Sequence, residues 1–238
     1  MATATPTGIT NKPKTGTSAS PGAVTGAPKV PLSDRAIAWV QSHRRIASWI
    51  GTIVALGAVL FIWTLSTKRR AEEIASRNLA GARFAFDNQN LPLAASELAK
   101  VVEDYSGTNA AAEGRLLLGN VRLLQGQPKQ AVDVLENWAG GAPRAYRAQA
   151  YSLLGAAYEN MGRTREAGEA YEKGSAAARL DFLKAQLLAD AGRAWTTAGD
   201  TTRAVAAYRR IVNEFPKEAA VSEAKVRFSE LTKGLVPK

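Results

Sequence analysis

The sequence contains no cysteine and only one histidine, His43. Without cysteine the chain has no disulfide framework, no thiolate metal site and no cysteine nucleophile. The histidine lies beside Arg44, whereas general-base catalysis needs an orienting partner in a sheltered pocket. The glycine motifs typical of nucleotide-binding proteins are also missing. We therefore expect a protein that is not an enzyme and that uses no cofactor, no metal and no small-molecule substrate.

Acidic residues occur in short clusters, such as Glu72-Glu73 and Glu166 with Glu169. Paired carboxylates are used for acid–base catalysis, but on a helix the same spacing places an acid within reach of a base three or four residues away. Glu169 and Lys173 would form one such pair. We interpret these clusters as solvated helix faces rather than as a catalytic site.

Positive charge is distributed unevenly along the chain. The formal net charge is +10, yet residues 1–70 carry nine Lys and Arg against one acid, a balance of +8. Residues 71–238 carry the remaining 22 bases and 20 acids, a balance of only +2. A nucleic-acid-binding domain should show its excess of positive charge on the folded module. The distribution excludes nucleic acid as the expected partner and is typical of charge that flanks a membrane segment.

The N-terminal region has little that could form a core. Residues 1–33 consist mostly of Ala, Thr, Pro, Gly, Ser and Lys, and such a segment buries too little apolar surface to offset the entropy of ordering it. We predict a disordered tail over 1–33. Residues 34–45 follow with Ser33 or Asp34 as the cap and apolar residues at helical spacing, which predicts a short juxtamembrane helix.

One long apolar run lies between basic residues. The 22 residues Ile46–Thr67 contain no charge and are bounded by basic residues at 44–45 and 68–70. At about 1.5 Å per residue a helix of this length reaches about 33 Å, close to the hydrocarbon thickness of a bilayer. Trp49 and Trp63 lie near its ends, where indoles prefer the membrane interface. A buried soluble helix would need a polar face, so we predict a transmembrane helix over 46–67.

The run is longer than a signal-peptide core and is followed by a basic triplet, which favours an uncleaved anchor. Within it Ala47, Gly51 and Ala55 form a stripe of small residues on which another membrane helix could pack; the alternative is that small residues are simply common in such helices. Within 20 residues, four bases precede the run and five follow it. Charge alone therefore does not orient the chain in the membrane.

After the apolar run the sequence repeats itself. Ala94, Ala131, Ala167 and Ala204 are separated by 37, 36 and 37 residues, and each is followed four residues later by an apolar or aromatic side chain. Glycine occurs at corresponding places within the units and is predicted to stop helices in the left-handed conformation. These glycines are Gly126, Gly162 and Gly199.

The pairs Leu118-Gly119 and Leu154-Gly155 and the Ala-x-x-x-Tyr of the later units resemble the tetratricopeptide repeat, as do Tyr158 and Trp195, aromatics that would fill the space between neighbouring hairpins. Arg122 stands where the unit of Leu118-Gly119 would have its aromatic. Departures include Arg179 in place of the closing proline. The resemblance implies an all-α fold in which helical hairpins stack into a solenoid over residues 71–238, with about 3.5 repeats and a capping helix. The first unit is degenerate, with Phe84 and Phe86 as its expected aromatics.

A tail, one anchor and a C-terminal repeat array together resemble the bacterial ancillary Sec-translocon subunits with a tetratricopeptide-like domain. The stretch "STKRRAEEIASRNLAGARFAF" is similar to the segment that leaves the membrane in that family. The resemblance implies an inner-membrane protein with a cytoplasmic N-terminus and a periplasmic repeat domain. Its implied partners are translocon subunits, exported chains or periplasmic chaperones.

In a stack of helical hairpins, the first helix of each pair lines a groove. Residues that flank the Leu-Gly pairs are expected to face it, which predicts a polar partner-binding surface of mixed charge. These residues are Glu113, Asn120, Gln149, Ser152, Glu159, Asn160, Gln186, Arg193 and Thr196. Two functions remain open: a membrane-tethered protein-interaction module that assists translocation or chaperone networks, and a structural accessory subunit of a stable respiratory or photosynthetic membrane complex.

Overall fold

The computed structural model describes residue 41 and residues 43–234 of the chain. Within these residues the regular secondary structure is entirely helical. The helices are α1 (Arg44–Asp87), α2 (Leu91–Asp104), α3 (Asn109–Leu124), α4 (Pro128–Ala139), α5 (Arg147–Asn160), α6 (Thr164–Ala177), α7 (Asp181–Thr197), α8 (Thr201–Glu214) and α9 (Ala220–Leu231). The predicted tail over 1–33 lies outside the described residues, as does most of the predicted helix over 34–45.

The chain divides into two compact units, Met1–Ala58 and Val59–Lys238. In the first unit the described residues are mainly the beginning of α1. Trp49 is 71% exposed and Ile53 is 65% exposed. The hydroxyl of Thr52 donates to the backbone oxygen of Ser48 at 2.9 Å, so it is satisfied within the helix, as it must be in an apolar environment.

Helix α1 is the helix, among the described residues, that is long and apolar enough to cross a membrane. Its most apolar 18-residue window has a mean hydropathy of 2.1, and none of that window is buried. Burial in a soluble core therefore does not account for it, although a signal sequence would meet the same length and composition criteria. The helix continues without a break through residues 67–71, where the sequence predicted the end of the anchor. The transmembrane span stays a prediction.

The stripe of small residues predicted for helix packing lies in this helix. Ala47, Gly51 and Ala55 are all helical, and Gly51 and Ala55 are exposed. A Cβ atom added to Gly51 would meet no atom within 4 Å. Gly51 and Ala55 are thus accessible, and the packing of the stripe against another helix stays a prediction.

In the unit Val59–Lys238 each helix packs against the next one along the chain, from α2 to α9. Contacts also join helices that are two apart, namely α3 with α5 and α7 with α9. Sequential packing of this kind is the arrangement of a solenoid of helical hairpins, in which each repeat contacts its neighbours. The predicted all-helical repeat fold is confirmed; the residue bounds predicted for its domains stay predictions.

Turns within the hairpins follow one design. Gly162 has φ +72, and its N–H donates to Glu159 O while the N–H of Arg163 donates to Tyr158 O, both at 2.9 Å. This pair of bonds is the Schellman motif, which needs a left-handed residue. Gly126 and Gly199 repeat it with φ of +70 and +76. The predicted glycine stops are confirmed. In the first hairpin, between α1 and α2, Gln89 takes the same role with φ +59.

The interior consists of two clusters of different composition. The alanine core, from α1 to α3, is built from Ala, Leu and Val. Its buried members are Ala75, Leu79, Ala82, Ala85, Ala94, Ala95, Leu98, Val101, Ala110, Ala111, Leu118 and Val121. The aromatic core extends from Leu116 in α3 to Phe228 in α9. It contains large rings that are at most 9% exposed, and these are Tyr158, Tyr171, Trp195, Tyr208, Phe215 and Phe228.

Glycines in the helices of the aromatic core make room for its rings. A Cβ atom on Gly155 would lie 2.6 Å from the Tyr171 ring. One on Gly168 would lie 2.5 Å from the Trp195 ring. Both distances are shorter than any real contact between carbon atoms, so glycine is required where these helices approach each other.

Two expectations for the first hairpin are corrected. Phe84 is 72% exposed and does not fill the core, whereas Phe86 is half-buried and packs against the alanine core. Glu72 is not simply solvated: its carboxylate accepts the backbone N–H groups of Asn109 and Ala110 at 2.8 and 2.9 Å. These are orphan donors at the start of α3, so Glu72 acts as an N-terminal cap supplied by another helix.

Candidate functional site

A pocket of about 460 Å³ lies on the first helices of three successive hairpins. We call the surface formed by α1, α3, α5 and α7 the first-helix face. The second helices contribute no residue to this pocket. Its lining residues are Arg83, Phe86 and Asp87 from α1, Glu113, Leu116, Leu117 and Asn120 from α3, and Tyr146, Gln149 and Leu153 at the start of α5 and within it.

The pocket has an apolar floor and a charged rim. Leu116 is 4% exposed and belongs to the aromatic core, against which Leu153 also packs. At the rim, the Arg83 guanidinium forms an ion pair with the Glu113 carboxylate. The rim also carries Asp87, whose carboxylate has no ion-pair or hydrogen-bond partner within the described part of the chain. Such a surface can hold a side chain of a partner by apolar contact and fix its orientation by polar contacts.

A second polar cluster on the first-helix face joins α5 to α7. Glu159 accepts a hydrogen bond from the Tyr171 hydroxyl at 2.7 Å and lies 3.7 Å from the Arg193 guanidinium. Arg193 also pairs with Asp190 at 3.1 Å. Gln186 donates to the same Asp190 carboxylate at 3.4 Å. The cluster therefore holds two carboxylates around one guanidinium.

Burial changes the acidity of two groups in this cluster. Burial raises the pKa of the Asp190 carboxyl, and the pairing with Arg193 lowers it only in part. Burial also raises the pKa of the Tyr171 hydroxyl, and its hydrogen bond to Glu159 raises that pKa further. Tyr171 therefore stays neutral and serves as a hydrogen-bond donor that holds Glu159 in place.

The structure brings together most of the residues predicted for the groove. Glu113, Asn120 and Gln149 line the pocket, whereas Glu159, Gln186 and Arg193 form the second cluster. The remaining three take no part in either arrangement. Thr196 donates to the Gly192 backbone oxygen at 2.7 Å, Ser152 is half-buried and Asn160 is exposed at the end of α5. Their role in binding a partner stays a prediction.

Sequence reasoning missed the contribution of α1 to this face. Arg83, Phe86 and Asp87 belong to the degenerate first unit, which has no Leu-Gly pair from which to count groove positions. Arg83 lies four residues after the buried Leu79 and Phe86 four residues after the buried Ala82, and this helical spacing was the available signal. Asp190 was missed as well, although it lies three residues before Arg193 and such a spacing predicts an ion pair.

Aromatic residues elsewhere in the repeats support the framework. The Tyr158 hydroxyl donates to Glu136 at 2.6 Å, and Arg163 lies 4.6 Å from its ring centroid. Burial, and then the hydrogen bond to Glu136, raises the pKa of Tyr158 to about 12. The expected pair of Glu169 with Lys173 is replaced by a contact of Glu169 with Arg203 at 3.6 Å, across successive hairpins.

The chemistry of the first-helix face is that of non-covalent binding. Within the described residues no group of three or more His, Cys, Asp or Glu could hold a metal ion. Arg83 pairs with Glu113 at the pocket, and Arg193 pairs with Glu159 and Asp190 in the second cluster. An apolar floor with a polar rim suits the side chains of another polypeptide.

Two family models match the sequence. A tetratricopeptide repeat-like domain covers residues 68–190 and a tetratricopeptide repeat covers residues 183–218. Both matches confirm the repeats predicted from the spacing of alanine and glycine. Proteins with this fold are typically non-catalytic scaffolds for protein interaction, and neither matching family is enzymatic.

Solved structures show the same fold. A protein from Podosopora anserina, described as a kinesin light chain with nearly identical TPR-like repeats, is similar with a TM-score of 0.53 and 20% sequence identity. The similarity covers 67% of this chain and 87% of that chain, and a single-residue variant of the same protein gives equal values. At this identity the likeness concerns the fold alone. No curated protein matches the sequence.

Proposed function

This chain belongs to the tetratricopeptide repeat-like domain family, and on that premise we propose that it is a membrane-tethered protein-interaction module of the bacterial cell envelope. In this proposal, the first-helix face binds segments of other proteins. The apolar part of α1 holds the repeats at the inner membrane. The partners are translocon subunits, exported chains or periplasmic chaperones.

The observation that carries the binding function is the pocket shared by α1, α3 and α5. A cavity within one hairpin would be a packing defect, but this one is lined by three successive hairpins and only by their first helices. Because three hairpins line it, the pocket suits an extended or helical segment that contacts several repeats in turn.

The membrane tether rests on the apolar run of α1. Its large apolar side chains at 53–65 that the structure describes are exposed, with Phe61 and Trp63 each 64% exposed. Exposure of so many large apolar side chains on one helix is costly in water and favourable in a bilayer. Hydroxyls in this run, including those of Thr64 and Thr67, donate to backbone oxygens of the same helix, which removes the cost of placing them among lipids.

Tethering explains how a shallow pocket would be effective. A surface of mixed polarity binds single segments weakly, but confinement near a membrane channel raises the effective concentration of emerging chains. The resemblance to ancillary translocon subunits supports this location and the periplasmic orientation of the repeats.

Photocrosslinking in native membranes tests the proposal. A photoreactive amino acid is placed at Asn120 or Gln149 on the first-helix face, and at Lys129 or Asp133 on α4 as matched exposed controls. We expect translocon subunits, exported chains or periplasmic chaperones to be captured from the first two positions and not from the controls. Equal capture from both faces, or none from Asn120 and Gln149, would refute the binding function.

Orientation is tested by adding protease to spheroplasts of cells that express the full-length chain. Digestion of the repeats from outside is expected. If the repeats resist digestion until the cells are lysed, the domain is cytosolic and the role in export is wrong, although a tethered binding module would remain.

A structural subunit of a stable membrane complex is the second candidate, favoured by the accessible small residues of α1. Neither Gly51 nor Gly57 has an atom within 4 Å of an added Cβ, so a partner helix could approach closely there. Copurification of the chain with one partner at constant stoichiometry in mild detergent would favour this candidate. Replacement of Gly51 by Leu should then release the partner.

A further inference from the structure

The pocket of the first-helix face restricts its occupant by shape and by charge. Its floor of Leu116, Leu117, Leu153 and Phe86 accepts an apolar side chain. At the rim, Arg83 is neutralised by Glu113. The carboxylate of Asp87 then remains as an uncompensated negative charge at the edge of an apolar floor.

The second polar cluster on the same face has the same charge composition. Arg193 is shared by two carboxylates, Glu159 and Asp190, which again leaves one negative charge. Asp190 is only 16% exposed at its side chain, and its carboxyl has a raised pKa because burial disfavours the charged form. An additional cation near this carboxylate would be stabilising.

The pocket and the second polar cluster thus differ in sign from the chain as a whole. The whole chain has a net charge of +10, whereas the pocket and the second cluster each carry two carboxylates and one arginine. A segment rich in Lys or Arg would be attracted to this face and a segment rich in Asp or Glu would be repelled, since complementary charge guides partner selection.

We propose that the first-helix face selects polypeptide segments in which an apolar side chain is accompanied by lysine or arginine. The apolar side chain occupies the floor between α3 and α5, and the cation of the segment pairs with Asp87 at the rim. Further cations along the segment face Glu159 and Asp190. This inference rests on the proposed binding function and specifies the partner chemistry of the same surface.

Three synthetic peptides of equal length provide the test. They share the same leucine and phenylalanine positions and carry lysine, glutamate or glutamine at all other positions. Binding to the full-length protein in uncharged detergent is measured by fluorescence anisotropy of the labelled peptides. We expect the lysine peptide to bind most tightly, about twofold to fivefold more tightly than the glutamine peptide for each solvent-accessible ion pair formed. The preference should decrease as the salt concentration rises.

Variants test whether the preference for the lysine peptide depends on Asp87 at the pocket. Asp87→Asn should weaken binding of the lysine peptide more than binding of the glutamine peptide, and so reduce the preference for lysine. Asp87→Lys should shift the preference towards the glutamate peptide. Asp133→Asn removes a carboxylate of similar exposure from α4 and should change no affinity. Because Asp87 is exposed at the end of α1, each variant should fold, which circular dichroism verifies.

The outcomes separate this inference from the function on which it rests. If no peptide binds, the proposed binding function fails. If the glutamine or glutamate peptide binds at least as tightly as the lysine peptide, the face binds segments but the charge selection is wrong. An unchanged preference in Asp87→Lys would also overturn the selection.

Discussion

The alanine core and the aromatic core solve the same packing problem in different ways. In the alanine core, small side chains on all helices let the backbones approach, and the largest fully buried residue is Leu98. In the aromatic core, a ring on one helix occupies the space left by a glycine on its neighbour, as Trp195 does opposite Gly168. In the aromatic core the buried apolar surface is concentrated in a few large residues. We therefore expect substitutions there to lower the free energy of unfolding more than substitutions in the alanine core.

The two cores also differ in the residues that form their turns and cap their helices. Hairpins of the aromatic core turn at glycines with positive φ, whereas the first hairpin turns at Gln89. The alanine core compensates through Glu72, which ties α1 to the beginning of α3. The comparison teaches that the degenerate first unit gains a helix cap from another helix, whereas the later units combine rings packed on glycines with hydrogen bonds from those rings.

The largest effect is expected for Trp195→Ala. The ring is 1% exposed and its Nε1 donates to Glu172 at 2.9 Å. Its loss should lower the free energy of unfolding by about 3–5 kcal/mol. The measurement is urea denaturation of the full-length protein in detergent, followed by circular dichroism. Leu98→Ala in the alanine core is the comparison, and an equal or larger loss there would contradict the proposed concentration of burial.

Gly168→Ala should cost about 1–3 kcal/mol, because the added methyl group collides with the buried Trp195 ring. In a Trp195→Ala background the collision is absent, and the same change should stabilise helix α6 by about 1 kcal/mol. A double-mutant cycle measured by denaturation gives the sign of the interaction energy between Gly168→Ala and Trp195→Ala. If Gly168→Ala destabilises both backgrounds equally, a collision with the Trp195 ring is not the reason for the loss of stability.

Glu72→Ala should lower the free energy of unfolding by about 1–2 kcal/mol, since two backbone N–H groups at the start of α3 lose their acceptor. The matched control is Glu73→Ala. Glu73 is exposed and pairs with Arg77 on the same helix, so its loss should cost less than about 0.5 kcal/mol. Equal effects of the two changes would show that the cap contributes nothing specific.

The smallest effect is expected for Gln89→Gly, which should raise the free energy of unfolding by about 0.5–1 kcal/mol. Gln89 has φ +59, a conformation that costs a non-glycine residue about 1–2 kcal/mol, and the entropy of glycine in the unfolded chain offsets part of the gain. Gly162→Ala is the reciprocal change and should be destabilising. A loss of stability in Gln89→Gly would mean that the side chain makes a contribution beyond its turn.

Much of the fold was predictable because its signals are local. The period of 36–37 residues and the glycine stops each depend on a few neighbouring residues, and both are found in the structure. The core position of Trp195 also followed from its place in the repeat. Gly168 was not singled out, because its role depends on a ring 27 residues away that only packing brings near.

The candidate site was predictable in part for the same reason. Positions counted from the Leu-Gly pairs identified Glu113, Asn120 and Gln149, which share one pocket. The α1 side of that pocket was missed because the first unit lacks the pair. Phe84 was expected in the core and is exposed, since Phe86 has the helical phase of Leu79 and Ala82 and Phe84 does not.

The sequence by itself determined the helical repeats, their turns and the apolar run, because periodicity, glycine conformation and hydrophobicity act over short distances along the chain. Only the tertiary structure decided which charges meet. Glu72 reaches α3, and Glu159 of α5 meets Arg193 of α7. Asp87 is left as the negative charge at the rim of the pocket, since the electrostatics of a surface depends on which helices pack side by side.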